Sequence, residues 1–142
     1  NYISDAGMIA LATALYNGAL PHLRILDISL NQIGDEFLIA FSPAISNGAK
    51  LNLTNLSLSN NWIGDNGMNA FADAISFGAL PFLQVLSIDG NQMSDQGIIA
   101  IANAIGKGAL PALMTLYVND GPMGTEHPAL KTACRIRDIL MP

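Results

Sequence analysis

The sequence predicts an α/β solenoid, and three observations carry that prediction. First, the chain aligns with itself without gaps at a shift of 30 residues from Asn1 to about Gly121. Asn1, Asn31, Asn61 and Asn91 coincide, as do Asp5, Asp35, Asp65 and Asp95, and Gly18, Gly48, Gly78 and Gly108. A fixed period of this size is the mark of a stacked array, in which each unit buries its apolar face against the next. Second, each unit opens with apolar residues around a middle leucine in alternation, the period of a short strand with one buried face. Third, each unit then carries apolar residues at helical spacing, as at 8, 11, 12 and 15, again at 68, 71, 72 and 75, and at 98, 101, 102 and 105. That spacing makes a helix with one stripe turned to a core.

The strand halves are Leu23, Leu26, Ile28, Asn31; then Leu53, Leu56, Leu58, Asn61; then Leu83, Leu86, Ile88, Asn91; then Leu113, Leu116, Val118 with Gly121 in the asparagine place. The asparagines are expected to turn inward where each strand ends and to pair backbone groups of the adjacent coil, because buried backbone must be paired. The aspartates stand where helices start and are expected to cap them, which leaves no calcium ladder to build from one carboxylate per 30 residues. The glycines stand where helices stop and suit a left-handed residue. Alanines at 14, 44, 74 and 104 are expected to face the bulkier Ile9, Ile39, Asn69 and Ile99 of neighbouring helices.

The motif L-x-x-L-x-[ILV]-x-x-N, repeated at this spacing and followed each time by a full helix, resembles the leucine-rich repeat family in its ribonuclease-inhibitor-like branch. The resemblance implies a right-handed, curved solenoid with parallel strands on the concave side and α-helices on the convex side. It also implies protein partners on the concave face. One domain over 1–142 is expected, with repeats at about 1–22, 23–52, 53–82, 83–112 and 113–142.

Departures from the pattern are informative. Ser42-Pro43 falls inside the second helix and predicts a break or kink, since proline has no N–H and disfavours helical angles before it. Lys50-Leu51 replaces the Leu-Pro found at 20–21, 80–81 and 110–111. The last unit loses the Asn and Asp positions to Gly121 and Thr125. Its helix, expected over Ala129–Met141, should seal the array with a shifted stripe of Leu130, Ala133, Cys134, Leu140 and Met141. The first unit has a helix and no strand before it, so its outer wall should be apolar.

The 142 residues are 51% hydrophobic, 12% charged and carry a net charge of −5. Ordinary soluble domains are about 25% charged. Six basic residues offer no stripe for nucleic-acid phosphates, and one cysteine, Cys134, offers neither a disulfide nor a cysteine zinc cluster. The apolar stretch 97–118 contains Asn103, Lys107 and Pro111 and is read as buried repeat, not as a membrane span. No targeting signal is legible, and an intracellular or organellar setting is favoured. Cys134 and His127 lack an orienting third group and an oxyanion hole, and His22 is a turn residue, so no enzyme signature emerges. The sequons at Asn52 and Asn55 carry little weight in a chain so rich in Asn and Ser.

The strand residues that point away from the core form three columns: Ile25, Asn55, Val85, Thr115; Asp27, Ser57, Ser87, Tyr117; and Ser29, Ser59, Asp89, Asn119. Asp120 adds to their acidic bias. Off-pattern aromatics that could anchor a partner are Trp62, Tyr117 and, on the helix side, Phe77. The expectation is a non-enzymatic protein-interaction module without cofactor or metal, a subunit or scaffold segment of a larger assembly. It would bind a protein, one with a basic surface, through the concave face and the N-terminal end. The alternative is a piece of a longer leucine-rich-repeat regulator of receptor or GTPase-activating type.

Overall fold

A computed structural model describes residues 2–48, 51–119 and 124–142. Asn1, Lys50, Asp120 and Gly121, each singled out above, lie outside the described residues. The described residues form helix α1 (Asp5–Tyr16), strand β1 (Ile25–Asp27), α2 (Asp35–Pro43), β2 (Asn55–Ser57), α3 (Asp65–Ser76), β3 (Val85–Ser87), α4 (Asp95–Gly106), β4 (Thr115–Tyr117) and α5 (Pro128–Ile136). A π-helical turn, Ala44–Gly48, continues α2, and a 3-10 turn, Gly124–Glu126, precedes α5. The strands make one parallel sheet in the order β1-β2-β3-β4, in the register Ile25–Asn55–Val85–Thr115 and Asp27–Ser57–Ser87–Tyr117. Sheet and helices enclose one apolar core, in which Leu26, Leu56, Leu86 and Leu116 face Leu15, Phe41, Phe71, Ile75, Ile101 and Ile105 among others. This is the α/β repeat solenoid that the periodicity predicts. None of the described helices is long and apolar enough to cross a membrane.

The asparagine column works as expected. The Asn61 Oδ1 accepts the N–H of Ile33 in the preceding coil at 3.1 Å. Its Nδ2 donates to the carbonyls of Ile28, Leu58 and Ser59. Asn91 repeats the pattern with Ile63, Leu58, Ile88 and Asp89. Asn31 receives Ile3 N–H at 3.0 Å and donates to Ile28 and Ser29 within its own coil.

The aspartates act differently from the expectation. They cap the helix of the next coil, not their own. The Asp5 carboxylate accepts N–H groups from Gly34 and Phe37, the N-cap and third residue of α2. Asp35 accepts from Gly64, and Asp65 accepts from Ser94 N–H, Ser94 Oγ–H and Gly97 N–H. Gly67 and Gly97 are glycines for this reason, since a Cβ there would lie 2.6 Å and 2.7 Å from the oxygen of Asp35 and Asp65. Burial raises the Asp65 pKa, but the three hydrogen bonds outweigh it and hold the carboxyl below its ordinary 3.8. Asp95 breaks the series. Its Oδ1 is buried without a hydrogen-bond partner among the described residues, as is His127 Nδ1.

Other expectations meet mixed outcomes. Gly18, Gly78 and Gly108 do adopt positive φ at helix ends. Ala44, Ala74 and Ala104 are buried, while Ile9, Ile39 and Ile99 stay partly exposed. The break comes where it is expected: the α-helix ends at Pro43, with Ser42 still helical and its hydroxyl on the Leu38 carbonyl, and gives way to the π turn. The last helix stops at Ile136 instead of Met141. Leu130, Ala133 and Cys134 are buried as expected, but Ile139 takes the inward place while Leu140 is exposed. The left-handed Asp138 turns the chain early, and Leu140 pairs with β4 through Leu116 N–H and the Met114 carbonyl. Arg137 clamps this end, its guanidinium donating to the carbonyls of Ile105 in the last turn of α4 and of Ala109 and Leu110 beyond it. Burial pushes the Cys134 thiol up to about 11, against the pull of Arg137, which makes it a core residue.

Two outcomes follow. Asn61→Ala removes four hydrogen bonds, leaves the Ile33 N–H without its acceptor and should cost about 2–4 kcal/mol in urea denaturation. A loss below about 1 kcal/mol would show that the ladder is not a principal tie. Asp65 contributes stability that is complete above its unfolded pKa and is lost as pH falls through the lowered native one. Asp65→Asn should therefore flatten the decline in stability between about pH 4 and 2, and a decline as steep as in the wild type would remove Asp65 from the acid response.

Candidate interaction surface

The strand register brings the predicted columns side by side across the sheet. Strands of three residues leave only a narrow face, and parallel pairing sets successive side chains of one column about 5 Å apart. Ile25 is 64% exposed at one end, Trp62 is 53% exposed on the turn beyond β2, and Tyr117 is 41% exposed at the other end. Asn55, Ser57, Val85, Ser87, Asp89 and Thr115 lie between them, half-buried, with Asn119 exposed. Trp62 is held at the turn by its N–H on the Ile33 carbonyl at 2.8 Å. The face is thus a small polar floor with apolar residues at its margins.

Two hydrogen-bonded pairs fix its polar groups. The Asp27 carboxylate accepts the Ser29 hydroxyl at 2.6 Å and the Ser29 N–H at 3.0 Å. Those bonds lead the causes that hold Asp27 below the ordinary carboxylate value. In the next position along, the Ser59 hydroxyl donates to Asp89 Oδ1 at 2.7 Å. Ser59 is itself buried, and its bond to Asp89 ties two neighbours of one column together. Among its described residues the surface therefore offers two carboxylates fixed by hydrogen bonds, Asp27 and Asp89.

Leu30 was missed among the candidates. It has a positive φ of 57° and is 64% exposed, at the place where the next repeats hold Asn60 and Gly90, also at positive φ. Asn and Gly tolerate this region, whereas for leucine it costs roughly 1–2 kcal/mol. Leu80 and Leu110 bear the same conformation but are buried, so packing offsets their strain. The signal was available in the Leu-Asn-Gly column itself. Phe77, weighed for the helix side, is 88% exposed there, where Asn17 and Lys107 hold the same place in other repeats.

The chain belongs to the leucine-rich repeat family. A family model described as Leucine Rich repeat matches it three times, over residues 19–42, 49–72 and 79–102, just over half of the chain. No curated protein matches it. The full α-helix in three of the four return segments, and in the fourth before its π turn, is consistent with the ribonuclease-inhibitor-like branch.

Leu30→Asn should raise stability by about 0.5–1 kcal/mol in denaturant unfolding, because strain is relieved and little packing is lost. Destabilisation instead would mean that the leucine side chain packs to more effect than its exposure implies.

Proposed function

We propose that this chain is a non-enzymatic protein-interaction module, one leucine-rich-repeat domain that works as a subunit or scaffold segment of a larger assembly. The family is generally non-enzymatic and suggests protein partners. The observation that carries the reading is the row of exposed apolar residues, Ile25, Trp62 and Tyr117, around a floor whose carboxylates at Asp27 and Asp89 are fixed by hydrogen bonds. Aromatic anchors beside an orienting polar set are the composition of an interface centre. The acid groups and the net charge of −5 favour a partner with a basic surface. Ser29, Asn55, Ser57, Ser87, Thr115 and Asn119 complete the contact as small side chains that let a partner approach closely.

The N-terminal end is the second part of the proposed surface. Tyr2 and Ile3 are exposed there and add apolar surface for a partner. The alternative reading is a piece of a longer leucine-rich-repeat regulator of receptor or GTPase-activating type.

The test is the native size of the chain in an extract of its source, by sizing and mass spectrometry, beside the variants Trp62→Ala and Tyr117→Ala. We expect migration well above its own 15.0 kDa. Each variant should weaken the complex at least about tenfold, or ~1.4 kcal/mol, while the free chain stays folded. Migration at the monomer mass, or a complex indifferent to both variants, would sink the concave-face reading.

A further inference from the structure

We propose that the groove between α2 and α3, on the helix side, receives an arginine side chain presented by a partner protein. This surface is separate from the strand face and does not depend on that reading. The groove follows from the one helix that departs from the repeat. Pro43 has no N–H to continue the α-helix, and the chain widens into the π turn Ala44–Gly48. Beside it α3 presents the small Ala70, and an open groove of about 470 Å³ results, lined also by Ser42, Pro43, Ser46, Asp73 and Phe77.

Its chemistry selects the occupant. The Ser42 hydroxyl donates to the Leu38 carbonyl at 2.6 Å and the Ser46 hydroxyl donates to the Ser42 carbonyl at 2.8 Å. Both hydroxyl protons are therefore committed inside the helix, and what the two oxygens can offer a visitor is lone pairs. Asp73 adds a carboxylate, and the one ion pair among the described residues is elsewhere, between Lys131 and Glu126. A lining of acceptors with a net negative charge asks for a cation rich in donors. Phe77 stands at the lip with its ring exposed, four residues after Asp73 and so on the same side of the helix end. A guanidinium meets all three features, since its flat face stacks on an aromatic ring while its five N–H groups reach acceptors in its plane. An ammonium has neither the plane nor the number of donors. Both key residues are off-pattern: Asp73 replaces Thr13, Pro43 and Asn103, and Phe77 replaces Asn17 and Lys107, so one repeat alone is furnished this way.

The experiment is a titration of the ¹⁵N-labelled chain with the blocked peptide acetyl-Gly-Arg-Gly-amide, followed by amide chemical shifts. Peptides with citrulline or lysine in place of arginine run in parallel. Saturable shifts should gather at Ala70, Asp73 and Phe77 with the arginine peptide. Citrulline should give none, and lysine should bind at least about fivefold more weakly. Asp73→Asn and Phe77→Ala should each weaken binding at least about fivefold with the remaining spectrum unchanged, since both side chains are exposed. Asp27→Asn, on the other face, should leave it unaltered. Shifts that never saturate, that survive Asp73→Asn, that centre on Asp27 and Asp89, or that citrulline or lysine reproduces in full would each overturn the proposal.

Discussion

Each coil must bury the backbone that carries it from strand to helix, and the backbone bonds between coils at that turn, such as Trp62 N–H on the Ile33 carbonyl and Gln92 N–H on the Ile63 carbonyl, leave further groups to be paired. Asn31, Asn61 and Asn91 meet the requirement with one acceptor and two donors apiece, placed where the sheet ends. An amide is the smallest side chain that can both accept an N–H and donate to several carbonyls without bringing a charge into the core. The spacing of everything else depends on it. The sheet register, the inward row of leucines and the position at which each helix begins are all set once the turn is pinned.

The aspartates complete the boundary from the opposite direction. An asparagine belongs to the later coil and satisfies the earlier one, while an aspartate belongs to the earlier coil and satisfies the helix start of the later one. Neighbouring coils are therefore mutually completing. Where the series ends, Asp95 is left with an oxygen unpartnered among the described residues, and the last boundary is held by different chemistry, the Arg137 clamp on the carbonyls of Ile105, Ala109 and Leu110. The same logic explains why glycine is needed at 67 and 97, where a carboxylate from the coil before occupies the space of a Cβ.

Much of this was legible in the sequence because alternation and helical spacing are local and recur four times. The leucine rows, the strand columns and the inward turn of Asn61 follow from period alone. Bonds that join residues 29 and 32 apart do not, and so the aspartates seemed to cap their own helices. The end of α5 was misjudged because a single left-handed residue, Asp138, shortens the return, and nothing in its apolar pattern distinguishes Ile139 from Leu140. Leu30 was overlooked since a leucine on an apolar-rich chain draws no notice until its φ is known. On the helix side the exposure of Phe77 and the off-pattern Asp73 were readable, but the groove between them needed the π turn.

The placement of the ties also makes the array mechanically lopsided. Asparagines and aspartates both sit on the edge where strands lead into helices, so that edge is stitched twice at each boundary among the first three. On the opposite edge, where helices lead back to strands, the side-chain ties between coils among the described residues are the Thr54 hydroxyl on the Arg24 carbonyl and the Arg137 clamp. A bending load should therefore open the array like a book bound along its stitched edge, with the stitching as spine and the far edge as pages. The last boundary, fastened on the page side, would move least. A partner gripping the solenoid would alter its curvature along the edge with fewer side-chain ties, where backbone bonds from Thr54, Gln84 and Met114 still join one coil to the next.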